Sequence, residues 1–339
     1  MALQSLHFPL SPDDVAQLVR ASVPKTLPVR SATASSTPAI VAIGAFDGVH
    51  LGHRTLIEAC VRQAHEARAR SVAVMFDPDP SELIAGTAAE RRLLSVSDRA
   101  AICQALGIDE VLIIPFTCAF ANKEPVDFVD YLVNAIGVIQ TIHVGSNFHF
   151  GHRGAGHVDT LRGIGEHRGF SVVTHDLLQC GGEPISSTRI RALLAKGCVA
   201  EAAELLGRLH FVRGTVVHGR GEGTSFGFPT ANMRCDARAC MPGEGVYACI
   251  VTDGKQAWPA AANVGAPPTF DGRQDSCFLE ANLIGFEGDL YGRELAVVFV
   301  EWLRASRPFS SLDELERVVL GNIDWVKSNV GDAGVEVDA

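Results

Sequence analysis

His50 and His53 stand three positions apart in the run Gly44-Ala45-Phe46-Asp47-Gly48-Val49-His50-Leu51-Gly52-His53. Two imidazoles at that spacing offer ring N–H donors to the oxygens of an anion. An anionic neighbour would raise their pKa and favour the charged form. A second set of donors comes from Ile185-Ser186-Ser187-Thr188-Arg189-Ile190-Arg191, where Ser186, Ser187, Thr188 and Arg191 open a predicted helix. Three hydroxyls and a guanidinium at a helix start suit phosphate oxygens. Either set alone is a weak signal. A pair of histidines is found on surfaces and in metal sites, and a serine run is usually a helix cap.

The elements that position these residues are legible in outline. Residues 39–44 form an apolar run that ends at Gly44, and a helical pattern begins near His53. A buried strand feeding a Gly-rich turn and a helix N-terminus is a place to hold phosphate, because free backbone N–H groups and the helix dipole both favour an anion there. Further strands are predicted at 71–76, 110–114, 140–144 and 170–174, with helices at 53–69, 97–106, 125–136 and 157–168 between them. Short apolar strands spaced by helices imply a parallel sheet covered on both faces. The turns at 44–53, 76–80 and 145–151 then lie at strand carboxyl ends, where such sheets take ligands. Before this region, residues 1–38 read as a lead-in, with a helix from Ser11 to about Ser22 and a linker at 31–38. After it, the stretch Ile185–Arg191 is predicted to open a helix, and a second helix follows at about 199–206. Near Gly207 the pattern changes to strands separated by Gly/Pro turns, at 211–217, 245–252, 257–264, 277–283 and 294–303, as in an antiparallel barrel or sandwich. A last helix runs from Ser310 to about Lys327, and the small, acidic residues 331–339 read as a disordered tail.

Composition sets the bounds. At 339 residues, 47% of them hydrophobic, the chain has length for two domains with real cores. A formal charge of −10, from 39 acidic and 29 basic residues, argues against nucleic acid or an anionic membrane as the main partner. A nucleotide needs only a local cluster of donors. Nine cysteines without a C-x-x-C suggest reduced thiols in a cytoplasmic protein; Cys235 and Cys240, the closest pair, read as surface-loop residues. No apolar run approaches the ~20 residues of a membrane span, and the N-terminus lacks the pattern of a signal peptide.

The run G-x-F-D-G-V-H-x-G-H resembles the signature of the bacterial FMN adenylyltransferases, as do I-S-S-T-x-I-R and Gly145-Ser146-Asn147-Phe148-His149-Phe150-Gly151. Further on, Gly227-Phe228-Pro229-Thr230-Ala231-Asn232 resembles the riboflavin kinases, together with Gly245-Val246-Tyr247-Ala248, Asn263-Val264-Gly265 and Asp289-Leu290-Tyr291-Gly292. The order of these motifs over residues 39–327 is that of the bifunctional prokaryotic riboflavin kinase/FAD synthetase family. The resemblance implies an α/β fold in which a Rossmann-like nucleotidyltransferase domain with a parallel sheet (39–206) precedes a flavokinase-like antiparallel β-barrel with a terminal helix (207–330). It implies phosphorylation of riboflavin to FMN in the barrel and adenylylation of FMN to FAD plus pyrophosphate in the first domain. ATP would be the co-substrate of both steps, with Mg²⁺.

The resemblance also assigns residues. His50, His53 and Arg191 would be catalytic in adenylyl transfer, which needs alignment and charge stabilisation and no protein nucleophile. Gly44, Phe46, Asp47, Gly48, Gly52, Asn147, Ser186, Ser187 and Thr188 would bind the nucleotide and flavin. In the barrel Glu280 would be the base on the riboflavin 5′-hydroxyl, and Thr230 and Asn232 would hold Mg–ATP. Gly219, Gly227, Pro229 and Arg304 would complete the binding set. Departures from the family pattern are Asp79 for the histidine of F-x-P-H-P, and Glu222, Thr224, Pro267, Asn282, Ser306 and Pro308 around the barrel site. They leave open an adenylyltransferase with an impaired kinase barrel. A non-catalytic flavin- or nucleotide-binding regulator is the alternative of another class. The expected partners are riboflavin, FMN, ATP, FAD and pyrophosphate, with no nucleic acid and no membrane; the sequence is silent on oligomeric state.

Overall fold

The computed structural model describes residues 6–25, 28–85, 90–218, 230–265 and 278–337. The chain divides into two compact units, Thr26–Ser187 and the combination of Met1–Lys25 with Thr188–Ala339. The first helix, α1 (Pro12–Ser22), therefore belongs with the C-terminal unit and is more than a lead-in. It starts where the sequence predicts. Ser11 Oγ accepts from the Asp14 N–H (3.2 Å) while the Asp14 carboxylate accepts from the Ser11 N–H (2.9 Å), a reciprocal cap.

The unit Thr26–Ser187 is built on β1 (Ser35–Ile43), α2 (Leu51–Ala67), β2 (Arg70–Asp77), α3 (Pro80–Ala85), α4 (Val96–Ala105), β3 (Glu110–Pro115), α5 (Cys118–Ala121), α6 (Pro125–Ile136), β4 (Gly137–Gly145), α7 (Val158–Arg168) and β5 (Ser171–His175). The strands pair in the order β3-β2-β1-β4-β5, all parallel. The chain leaves β1 to one side and returns to β4 on the other, so the topological switch lies between β1 and β4. Ala39 to Ile43 are at most 1% exposed, as an apolar run covered on both faces requires. One prediction needs correction: residues 35–38 are not linker but the start of β1, with Ser35 paired to Gly137. Their side chains are largely exposed, so their polar composition hides the strand. A short hairpin of β6 (Gln179–Cys180) and β7 (Glu183–Pro184), also unanticipated, leads to α8 (Ser187–Ala195).

The second unit continues through α8 and α9 (Val199–Leu206) into β8 (Phe211–Val217), β9 (Ala231–Cys235), β10 (Gly245–Thr252), β11 (Gln256–Val264), β12 (Phe278–Leu283) and β13 (Glu294–Arg304). The antiparallel order β10-β13-β8-β9-β12-β11 closes through pairing of β10 with β11 into a six-stranded barrel. A helix, α10 (Leu312–Asn329), and a two-residue strand, β14 (Val335–Glu336), follow. The sequence reading missed β9. It also took the end of the chain for disorder, which the structure corrects. Val335 pairs with Ala257, Val337 is buried, and the Val337 N–H donates to Lys255 O. Alternating valines in an acidic, glycine-containing stretch are enough to add an edge strand. Cys235 and Cys240 are likewise buried and not in a surface loop. No described cysteine forms a disulfide, and no helix among the described residues is long and apolar enough to cross a membrane.

Candidate active site

β1 ends at the switch point, and the turn after it carries the histidines. His50 is the N-cap of α2; its Nδ1 accepts from the His53 N–H at 3.4 Å. That contact brings the two rings into a stack, with centroids 3.7 Å apart and planes 18° from parallel. Phe46 meets His53 edge-on at 5.5 Å. The chain runs close here. A Cβ on Gly44 would lie 3.0 Å from the Phe46 ring, and one on Gly52 would lie 3.3 Å from the His50 ring, so both positions need glycine or a shift of an aromatic ring. Gly48 has φ 81°, and Phe46 and Val49 also have positive φ, 50° and 39°.

Burial decides the charge state of the pair. It pushes His50 down to about 4. It also holds His53 well below the ordinary histidine value, reinforced by His50 and Arg99 nearby. The free site therefore carries neutral imidazoles at neutral pH. His53 Nδ1 is closed off and has no hydrogen-bond partner among the described residues.

The residues expected to bind ligand divide into two kinds. Asn147 is exposed beyond the end of β4, and Ser186 and Ser187 are half-buried. Ser187 Oγ donates to the Asp47 carbonyl at 2.8 Å, which ties Ser187 to the histidine turn of the same unit. Phe46 and Asp47, by contrast, are buried and support the turn from within. The Asp47 carboxylate accepts from the N–H groups of Leu93 and Leu94, both at 3.2 Å. Thr188, exposed, and Arg191, half-buried, follow on α8 within the other unit.

Two groups at this site escaped the sequence reading. Arg99 on α4 is wholly buried; its Nη1 donates to the Ala45 carbonyl (2.7 Å) and to Asp79 Oδ1 (2.9 Å). Asp79, which stands where the family pattern has a histidine, is 5% exposed and faces this guanidinium. Burial raises its pKa and Arg99 opposes the rise. The sequence around Arg99, with Ser97 and Asp98 before it and Ala100-Ala101-Ile102 after it, offers no signal that it turns inward.

In the barrel, Asn232 on β9 and Glu280 on β12 are directly opposed, as are Glu280 and Asn263 on β11. Opposed residues share a face of the sheet, so an amide oxygen and the expected base are adjacent. Thr230 lies just before β9 and is half-buried. Arg304 ends β13, with its guanidinium 5.5 Å from the Phe309 ring; burial and Arg307 lower its pKa. Ser306 Oγ donates to Asn263 Oδ1 at 3.0 Å. Gly219, Gly227 and Pro229 lie outside the described residues, as do Glu222, Thr224 and Pro267. Among the described residues no group of three or more His, Cys, Asp or Glu side chains forms a metal cage.

Comparison with known proteins covers both units. Residues 32–189 match the family model for FAD synthetase, and residues 206–329 match that for riboflavin kinase. The chain is 36% identical over 285 residues to a bifunctional riboflavin kinase/FMN adenylyltransferase of Pseudomonas fluorescens, covering 84% of this chain and 90% of that one. The bifunctional riboflavin kinase/FMN adenylyltransferase of Escherichia coli K12 is 36% identical over 279 residues, covering 82% and 88%. A crystal structure titled macrolide-efflux protein, from Streptococcus pneumoniae, has a TM-score of 0.78 and 28% identity over 87% of this chain and 95% of its own.

Proposed function

The chain belongs to the bifunctional riboflavin kinase/FMN adenylyltransferase family, and from that premise we propose how its residues share two ATP-dependent transfers. The protein is a transferase that phosphorylates riboflavin to FMN and adenylylates FMN to FAD, releasing pyrophosphate. Adenylylation is assigned to residues 39–206 and phosphorylation to 207–330, and the protein is read as cytoplasmic.

For adenylyl transfer, His50 and His53 donate to the phosphate oxygens of ATP from the end of β1. The triphosphate supplies the anion that burial otherwise denies them, so binding draws a proton onto the pair. Asn147 borders the nucleotide and flavin. Ser186, Ser187, Thr188 and Arg191 hold the β- and γ-phosphates at the α8 N-terminus and stabilise departing pyrophosphate. The observation that carries this reading is the stacked His50–His53 pair at the switch point, with Ser187 tied to the carbonyl of Asp47 in the same turn.

For phosphoryl transfer, Glu280 accepts the proton of the riboflavin 5′-hydroxyl as it attacks. Arg304, at the end of β13, contributes to the binding set. A hydroxyl at Thr230, an amide oxygen at Asn232 and the opposed carboxylate form a hard-oxygen donor set, in keeping with Mg²⁺ shared between protein, phosphates and water. Bound there, Mg²⁺ would neutralise charge on the transferring phosphate. Gly219, Gly227 and Pro229 are assigned to nucleotide binding.

The test is chromatography of flavins after incubation with Mg–ATP. FMN must yield FAD, and riboflavin must yield FMN and then FAD. Failure of FAD to form from supplied FMN would reject the adenylyl-transfer assignment, and failure of riboflavin to yield FMN would reject the kinase assignment.

A further inference from the structure

We propose that Arg99 is a positioning residue for adenylyl transfer: anchored by Asp79, it grips the Ala45 carbonyl and so holds the turn that presents His50 and His53. The inference rests on the adenylyl-transfer reading above and adds to it two buried residues.

The turn does not hold itself. Phe46 and Val49 are in the left-handed region, at φ 50° and 39°. Val49 is branched at Cβ, for which this conformation is a genuine outlier. Such geometry persists only where the surroundings over-determine it. The surroundings here are specific. The Val49 N–H donates to Phe46 O (3.0 Å), Ser187 Oγ donates to Asp47 O, the N–H groups of Leu93 and Leu94 donate to the Asp47 carboxylate, and Arg99 donates to Ala45 O. Three of these five contacts come from the segment that leads into α4 and from α4 itself. One helix thus clamps the turn at Ala45 and at Asp47, directly before the histidines.

Stability does not explain the arginine. It is wholly buried, and its Nε and Nη2 have no partner among the described residues. Burying an unpaired N–H is unfavourable, and a buried ion pair often stabilises no more than an apolar replacement of the same shape. Asp79 aims the guanidinium, accepting at 2.9 Å from the same Nη1 that reaches Ala45. The Asp79 N–H donates to Glu82 Oε1 (3.3 Å), and Glu82 is paired in turn with Arg92. The carboxylate in the place of the family histidine is therefore matched to Arg99.

A charge-removal cycle tests this on the full chain, with FMN and Mg–ATP as substrates. Arg99→Met alone leaves Asp79 buried without its cation, so the informative variant is Asp79→Asn with Arg99→Met, which leaves no orphan charge. Positioning predicts that the double variant loses on the order of 10²-fold in the kcat of FAD formation, the scale of a misplaced catalytic group. The KM values for FMN and ATP should change much less, because the interaction lost is one made in the transition state. Arg99→Lys, which keeps a charge and a donor, should recover most of that loss, and riboflavin phosphorylation should be unchanged throughout. A double variant with wild-type kcat would overturn the proposal, since Arg99 would then only neutralise Asp79. Loss of the folded α/β unit in both the double variant and Arg99→Lys would also overturn it, by making Arg99 a stability residue. If the unmodified chain makes no FAD from FMN, the adenylyl-transfer reading fails instead.

Discussion

His210 shows what burial does to an imidazole in this chain. It lies directly before β8, stacks on Phe299 with centroids 6.0 Å apart, and its Nε2 is 2.8 Å from the Cys240 carbonyl. Burial pushes its pKa down to about 4. In the unfolded chain histidine titrates near 6.5. Between those values the unfolded state binds the extra proton, so stability is full above about pH 6.5 and declines as pH falls toward 4. The loss amounts to at most about 3 kcal/mol for this one group. Trp258, Trp302 and Trp325 all lie in the same unit, so denaturant titrations followed by tryptophan fluorescence report on it directly. The unfolding midpoint should fall between pH 7 and pH 4.5, and His210→Phe should remove part of that slope; equal slopes in both proteins would contradict the assignment. At the same scale, His50 and His53 were legible in the sequence because the whole run from Gly44 to His53, and not their spacing alone, carries the family resemblance. Arg99 and Asp79 were not, because nothing in a sequence says that an arginine forty-six positions beyond His53 turns inward to meet a turn carbonyl.

Elements were legible to the extent that their residues are buried. The strands at 211–217 and 245–252 appear with the predicted bounds, since continuous or alternating apolar residues fix both period and length. Two of the misread segments, the start of β1 and β14, are strand pieces with exposed side chains that need not be apolar; β9 was missed although alternate residues of it are buried. β14 still matters to the barrel. The Val337 side chain is 3% exposed, Arg20 Nη1 donates to its carbonyl at 2.9 Å, and a Cβ on Gly334 would sit 2.6 Å from the Trp258 ring nitrogen. Removing residues 333–339 should therefore destabilise the C-terminal unit by about 2 kcal/mol, the scale of one valine returned to water plus lost backbone pairing. Fluorescence-detected unfolding of the truncated chain checks this; an unchanged midpoint would mean that the strand adds nothing.

For the molecule as a whole, the proposed function would rest on two different devices. In the α/β unit the proposed donors, His50 and His53, stand at a sheet switch point. In the barrel a carboxylate, the proposed base, stands across from an amide oxygen on a neighbouring strand. The order of motifs made both activities readable, because that order is the family's own. The register that opposes Asn232 to Glu280 was not readable, because β9 is only five residues long and begins inside the motif itself.

The most direct measurement is a paired assay of His53→Ala and Glu280→Gln, each supplied separately with riboflavin and with FMN in the presence of Mg–ATP. His53→Ala should still convert riboflavin to FMN but make no FAD from either substrate, with a loss on the order of 10²-fold or more for a transition-state donor. Glu280→Gln should make FAD from FMN at the unmodified rate and lose riboflavin phosphorylation. Parallel loss of both activities in either folded variant would contradict the division of the two chemistries between the two units.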